Sequence, residues 1–455
     1  MTKVSLVRKK SFFKKVKSVL SGTLYSSKQE GGDASLVGAQ RIRERINKKI
    51  FFTPADYLEL HGDIRRSRKD PVEHYIRHGR AERRRTVKPS TIAKMLGSIE
   101  ADYESEKEKF LLEFENAQQF KDTDSFGQIA IYYHSRGNYY MYPLARCLQY
   151  VFRAAGVECL LLDERSGVTE NIKYPIILAP HEFFVLDLPQ EFRAAEFLQR
   201  TILFTTEQLL LPWFMESLPE IFLARAVIDI NFHTSVALRR SGIRSIHVLP
   251  ALDTELKSEI LMQLDVTQPF LASIPDVEGK IYQIGRLANR PYDLTFAGYK
   301  TPEREKFFES NSDYLKTKKT CFLYRKQPAT PEPPPTKPLE KFALNIALAS
   351  LSKCTLNIHR NGTRYFEWER MIVQGACSGA AVVTNTCLRN PFFTENVHYF
   401  QTTTRNVDKL VRWILDTAEG SAQAQLGVDK AWRVMQEQVT PRRQGLYLLS
   451  FLKSL

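Results

Sequence analysis

Between residues 356 and 385 the chain reads LNIHRNGTRYFEWERMIVQGACSGAAVVTN. An apolar run ends near Asn357, and His359, Arg360 and Arg364 follow in a polar turn. Glu367 stands where a helix would begin and Gln374 lies further along it. The small pair Ser378-Gly379 then leads into a second apolar run. Guanidinium groups pair bidentately with phosphate oxygens, and helix starts add amide donors. This spacing therefore suits an anion with two phosphates, with Glu367 placed to accept hydroxyl hydrogens. A second set of reactive side chains stands at the ends of apolar runs in the first half: His134 and Arg136 in YYHSRGN, His181 and Glu182 in LAPHEFF, Thr206 and Glu207 in FTTEQL. Imidazole and carboxylate groups so placed either take a proton from a hydroxyl or serve as hydrogen-bonded loop residues.

The elements needed to position these groups are legible as two series of short apolar runs alternating with helical patterns. Runs over 129–134, 158–163, 175–179, 201–205, 226–231 and 245–249 form the first. DLTFAG after Tyr292, CFLYR at Cys321, TLNIH at Thr355 and AAVVTN at Ala380 form the second. Alternation of this kind predicts parallel sheets covered by helices, with ligands collecting at the carboxyl ends of the strands. The fold expected is α/β, with two Rossmann-like domains facing a cleft, preceded by a small helical module and a basic segment. The boundaries expected are 1–50 for the basic segment and linker, 51–125 for the module and a connecting helix over Ile99–Phe120, and 126–255 for the first domain. The second domain follows over 256–440, and a last helix, 441–455, crosses back to the first. Within 51–85, Thr53-Pro54 and Asp70-Pro71 are helix starts and Gly79 a helix stop. Pro328–Pro338 (PATPEPPPTKP) interrupts the second domain as a surface loop.

The net charge of +14 is uneven: residues 1–90 hold 23 Lys and Arg against 9 Asp and Glu, so the rest of the chain is balanced. Over residues 6–20, Phe12, Phe13, Val16, Val19 and Leu20 share one helical face, with lysines largely around the other side. Such a helix suits an anionic membrane surface; a basic tail, or a helix docked on the protein itself, is the alternative. Residues 21–40, rich in Gly and Ser, read as a linker. The six cysteines show neither metal-ligand nor disulfide-framework spacing, which fits a reducing, cytoplasmic setting, with the basic segment allowing peripheral attachment to the inner face of a membrane. No P-loop, nucleophile elbow or zinc helix is present, and no nucleic-acid module accompanies the basic charge.

The 356–385 segment resembles the donor-binding region of GT-B glycosyltransferases, closest to a bacterial surface-polysaccharide pattern of N-x-H-R, R-Y-F-E-W, a small-residue turn and V-V-T/S. Here these are Asn357, His359, Arg360, Arg364 to Trp368, Gly375 to Gly379 and Val382 to Thr384. DLTFAGYKTPERE resembles the opening of the nucleotide-binding domain, with Gly298 allowing close backbone approach. DYLELHGDIRRSRKDPVEHYIRHGRAERR resembles an accessory module joined to such enzymes. The likeness spans residues 127–440.

What the resemblance implies is transfer of a sugar from a nucleotide-diphosphate sugar to a glycan or lipid-linked acceptor, without a metal or other cofactor. Donor contacts would fall on Gly298, Asn357, His359, Arg360, Arg364, Glu367 and Gln374. His134, His181 and Glu182 would be catalytic, with Arg136 and Glu207 on the acceptor side. Inversion and retention both stay open. Gln374 stands where the better-known pattern has a second glutamate, which keeps a non-catalytic glycan- or nucleotide-binding scaffold as the alternative.

Overall fold

The first series of apolar runs forms six strands: β1 (Ile129–Tyr133), β2 (Cys159–Asp163), β3 (Tyr174–Leu178), β4 (Ile202–Thr205), β5 (Ala226–Asp229) and β6 (Ser245–His247). They pair in the order β2-β1-β3-β4-β5-β6, all parallel. β3, β4 and β5 are buried along their whole length. Helices on both faces account for the uninterrupted apolar runs. The second series forms β7 (Tyr292–Tyr299), β8 (Thr320–Arg325), β9 (Ser352–Asn357), β10 (Ala381–Asn385) and β11 (Phe400–Thr402). Their order is β11-β10-β9-β7-β8, again parallel throughout. The architecture is thus α/β with two Rossmann-like parallel sheets. It comes from a computed structural model that describes residues 34–123, 126–283, 285–326 and 337–455. The amphipathic stretch 6–20 and most of Pro328–Pro338 lie outside the described residues. Among those described, no helix is long and apolar enough to cross a membrane.

Two local expectations are corrected. From Ala34 the chain is helical to Asn47 rather than a linker to residue 40. Ile42 and Ile46 of this helix are buried, and Arg45 donates to the Ile221 and Ala224 carbonyls at 2.7 and 2.9 Å. The connecting helix is two, Pro89–Ala101 and Tyr103–Ala117, broken at Asp102. Gly79 is where the helical segment Tyr75–Gly79 ends, as expected, and a Cβ there would collide with the Tyr57 hydroxyl. Thr53 and Asp70 do cap their helices, accepting from the Asp56 and Glu73 amides at 3.1 and 2.7 Å. Tyr75 meets Phe222 edge-on, and Arg83 pairs with Glu220 at 2.7 Å, seating residues 54–85 on the first domain.

The carboxyl ends of the two sheets are held near one another. Trp368 donates its indole N–H to the Pro250 carbonyl at 2.8 Å, and the Asn345 amide donates to the Tyr140 hydroxyl at 3.0 Å. The helix Pro441–Ser454, late in the chain, lies against Met141–Ala154 of the first domain, with Gly445 directly over the Val151 carbonyl. Gln444 accepts from the Leu249 amide at 3.2 Å.

Candidate functional site

β7 ends at Tyr299, and Thr301 caps the helix Pro302–Ser310, accepting from the Arg304 amide at 3.4 Å. The cap places Arg304 in the first helical turn, from which its side chain folds inward and is fully buried. Its Nε donates to the Ile358 carbonyl at 2.8 Å and Nη1 to the Tyr299 carbonyl at 3.0 Å, while Nη2 has no partner. Burial, and then the charge of Arg370, push Arg304 down to about 9.

Arg370 arrives from the π-helix Glu369–Ala376. Its Nη2 donates to the Ala297 carbonyl at 2.5 Å and Nη1 pairs closely with Glu367; Nε has no partner. Burial works against this cation, but Glu367 and Glu369 hold it above the ordinary arginine value. His359 completes the group. Its ring stacks on Tyr365 with centroids 4.4 Å apart, and neither nitrogen finds a hydrogen-bond partner in good geometry. Burial, then Arg370 and Arg304, lower it to about 3, so the imidazole is neutral at physiological pH. Two crowded guanidiniums with unsatisfied N–H groups at strand carboxyl ends are chemically suited to an anion, because a buried donor left unmade is costly.

The opposite wall is built by the first domain. Ala179, in the left-handed conformation (φ 51°), turns the chain after β3 into the short helix Pro180–Phe183. His181 Nε2 lies 3.4 Å from Glu207 and 3.8 Å from Glu182. Glu182 also accepts from the Asn138 amide at 2.7 Å. Burial pushes Glu207 up to about 7, with Arg360 opposing and Glu182 adding to the shift. Burial raises Glu182 and lowers His181 to about 3. The Thr206 hydroxyl is buried without a partner, and the exposed Trp213 ring stands 6.3 Å from His181. A carboxyl poised near neutrality beside a neutral imidazole is equipped to accept a hydroxyl proton.

The residues expected at the site separate into several groups. His359, Arg360, Glu367, His181, Glu182 and Glu207 gather where the strand ends of the two domains meet. Arg360 is exposed, and its charge acts on Glu207 from the other domain. Arg364 is exposed and acts instead on Glu100 of the helix Pro89–Ala101. Asn357 is wholly buried, donating to Thr384 Oγ1 at 3.1 Å, so it ties β9 to β10. Gln374 is also enclosed: it donates to Glu369 at 3.0 Å and accepts from Thr355 at 3.1 Å. The strand-end glycine serves side chains, since a Cβ at Gly298 would lie 3.0 Å from Arg304 Nη1 and 3.1 Å from Arg370 Nη2.

In the first domain, His134 is not free to act as a base. Its Nε2 donates to the Asp187 carbonyl at 2.9 Å, and Nδ1 accepts from the Arg136 amide at 3.1 Å. The Arg136 side chain is exposed and pairs with Asp187 at 2.7 Å. Sequence reasoning passed over Arg304 and Arg370. The signal for Arg304 was the helix start Thr301-Pro302 immediately after a predicted strand end; nothing in the spacing marks Arg370.

No protein family's sequence profile matches this chain, and no curated protein matches it. Among solved structures, 43 chains match. Anabaena HepE in complex with UDP-glucose aligns with a TM-score of 0.44 at 11% identity, over 72% of this chain and 100% of its own. The same protein in complex with UDP gives 0.39 at 11% identity over the same shares. The N-terminal domain of Candida albicans trehalose-6-phosphate phosphatase gives 0.37 at 12% identity, over 74% of this chain and 98% of its own.

Proposed function

We propose that this protein is a glycosyltransferase that moves a sugar from a nucleotide-diphosphate sugar to a hydroxyl of a glycan or lipid-linked acceptor in cell-surface polysaccharide synthesis. The observation that carries the reading is the opposition of two chemistries at the sheet ends. Arg304 and Arg370 keep unsatisfied N–H groups on one side, and Glu207 titrates near neutrality on the other. The acceptor O–H gives its proton to the Glu207 carboxylate, and its oxygen bonds to the anomeric carbon. The bond from that carbon to the phosphate oxygen breaks, and its electron pair leaves on the diphosphate. Charge developing there meets the two guanidiniums and the neutral His359, the kind of preorganised stabilisation that dominates such transfers. The step as drawn calls for no metal.

The scaffold alternative drew on Gln374 replacing a carboxylate, but Gln374 is occupied by Glu369 and Thr355. A panel of sugar nucleotides with glycan and lipid-linked acceptors tests the proposal. A transferred sugar is expected with at least one pair. In Glu207→Gln, transfer should fall about 100-fold, the usual scale of a lost general base, with donor affinity nearly unchanged. Donor binding without transfer across the panel would favour the scaffold.

A further inference from the structure

A second charged concavity lies at the other end of the first sheet. A groove of roughly 800 Å³ is lined by Arg41, Arg45, Lys48, Arg225 and Arg244, with Glu44 as its one acidic side chain. Arg225 and Arg244 immediately precede β5 and β6, so the groove sits at the amino end of the first sheet, while the candidate site residues follow the carboxyl ends of β3 and β4. Two of its cations have structural duties. Arg45 is buried and holds the Ile221 and Ala224 carbonyls, while Arg41 donates to Gln199 and Leu223 at 3.1 and 2.9 Å. The other three are not accounted for in this way. Lys48 is exposed, with no carboxylate partner among the described residues. Among the described residues the Arg225 side chain faces the Tyr174 ring, 6.0 Å away, and Arg244 gives one N–H to the Ser454 carbonyl at 3.0 Å. Arg41 is lowered by burial and then by the Arg225 charge, so repulsion within the groove is felt in its folded state.

Helix anchoring explains Arg41 and Arg45, but gives no reason to gather Lys48, Arg225 and Arg244 around the same concavity. Like charges collected around a low-dielectric wall focus a positive potential and favour a multivalent anion. Guanidinium and ammonium groups together suit closely spaced phosphate oxygens.

We infer that this groove is a binding site for an anion bearing clustered phosphate groups, separate from the site between the two sheets. Two sources share that chemistry, a soluble polyphosphate and the headgroups of anionic phospholipid.

The test uses the full chain and the triple variant Lys48→Gln/Arg225→Gln/Arg244→Gln, whose thermal unfolding is measured first. Titration with inorganic tripolyphosphate and flotation on phosphatidylcholine vesicles, with and without phosphatidylglycerol, form its two arms. A tenfold or greater loss of tripolyphosphate affinity in the variant, with vesicle binding unaltered, identifies a soluble ligand. A similar loss of flotation on phosphatidylglycerol, persisting when Lys14, Lys15 and Lys17 are all changed to Gln, identifies a lipid headgroup. Wild-type behaviour of a folded triple variant in both arms overturns the inference. So does vesicle binding removed wholly by the Lys14, Lys15 and Lys17 changes when tripolyphosphate does not bind. Should the triple variant fail to fold, Lys48→Gln and Arg244→Gln, both at exposed positions, are each expected to weaken binding at least threefold. No weakening in either is the contrary result.

Discussion

Arg304 and Arg370 bring their guanidinium carbons to 5.2 and 5.3 Å from the centre of one ring, that of Phe296, and Gly298 leaves the space in which they do so. One arginine comes from the helix after β7 and the other from the π-helix after β9. Their approach joins two loops of the second domain into one positively charged floor. Repulsion between them is offset mainly by Glu367, which is not enough to neutralise the neighbourhood.

Gly298→Ala tests that packing. Its Cβ would press on both guanidiniums and on the Phe296 ring at 3.0 Å. Overpacking of this kind costs about 1–3 kcal/mol. The expected outcome is a lower unfolding midpoint in urea, together with weaker nucleoside-diphosphate binding by calorimetry. Wild-type values for both would show that the arginines shift freely and that the floor is not rigid.

Burial gives the protein a pH signature. Glu207 is pushed up to about 7 from an ordinary 4.5. A carboxyl whose folded value is raised contributes stability that is fully present below about pH 4.5 and lost as pH rises through about 7. Glu369, also raised to about 7, acts in the same direction. His181 and His359 act in the opposite sense, losing stability as pH falls from 6.5 towards 3. Melting temperatures of wild type and Glu207→Gln from pH 4.5 to 8 should therefore diverge, with a shallower decline in the variant. Parallel profiles would mean that Glu207 titrates as an ordinary surface carboxyl.

The late helix Pro441–Ser454 crosses the first domain at a point where only glycine fits. A methyl group at Gly445 would fall on the Val151 carbonyl oxygen and crowd the Ala155 Cβ at 2.6 Å. Gly445→Ala is expected to destabilise the chain by about 1–3 kcal/mol, the scale of overpacking, as read from chemical denaturation. An unchanged midpoint would show that this helix can lift away without cost.

Ten of the eleven strands among the described residues are visible in the sequence because each is an apolar run of four or more residues, or part of one, bounded by turn residues. β11 escapes because three residues, Phe400 to Thr402, carry no period. The helix starts at Thr53, Asp70 and Thr301 are equally legible, since a capping side chain followed by proline is a local signal. Direction is what a sequence conceals. Arg360 and Arg364 stand in the same polar turn, yet Arg360 acts on Glu207 across the site while Arg364 acts on Glu100 of the helix Pro89–Ala101. Arg304 and Arg370 sit in helical segments that look ordinary and turn inward. Asn357 and Gln374 occupy motif positions but hold neighbouring backbone and side chains together. His134 stands at a strand end, and that same place lets main-chain groups occupy both its nitrogens.

Calorimetric titration of a nucleoside diphosphate into wild type, Arg304→Gln, Arg370→Gln and Arg364→Ala tests most directly the proposal that Arg304 and Arg370 form the diphosphate site. A charge-assisted hydrogen bond is worth about 1.5–3 kcal/mol, so each of the first two variants should bind about 10- to 100-fold more weakly, while Arg364→Ala stays within about threefold of wild type. Wild-type affinity in folded Arg304→Gln and Arg370→Gln, or a loss confined to Arg364→Ala, would contradict the account.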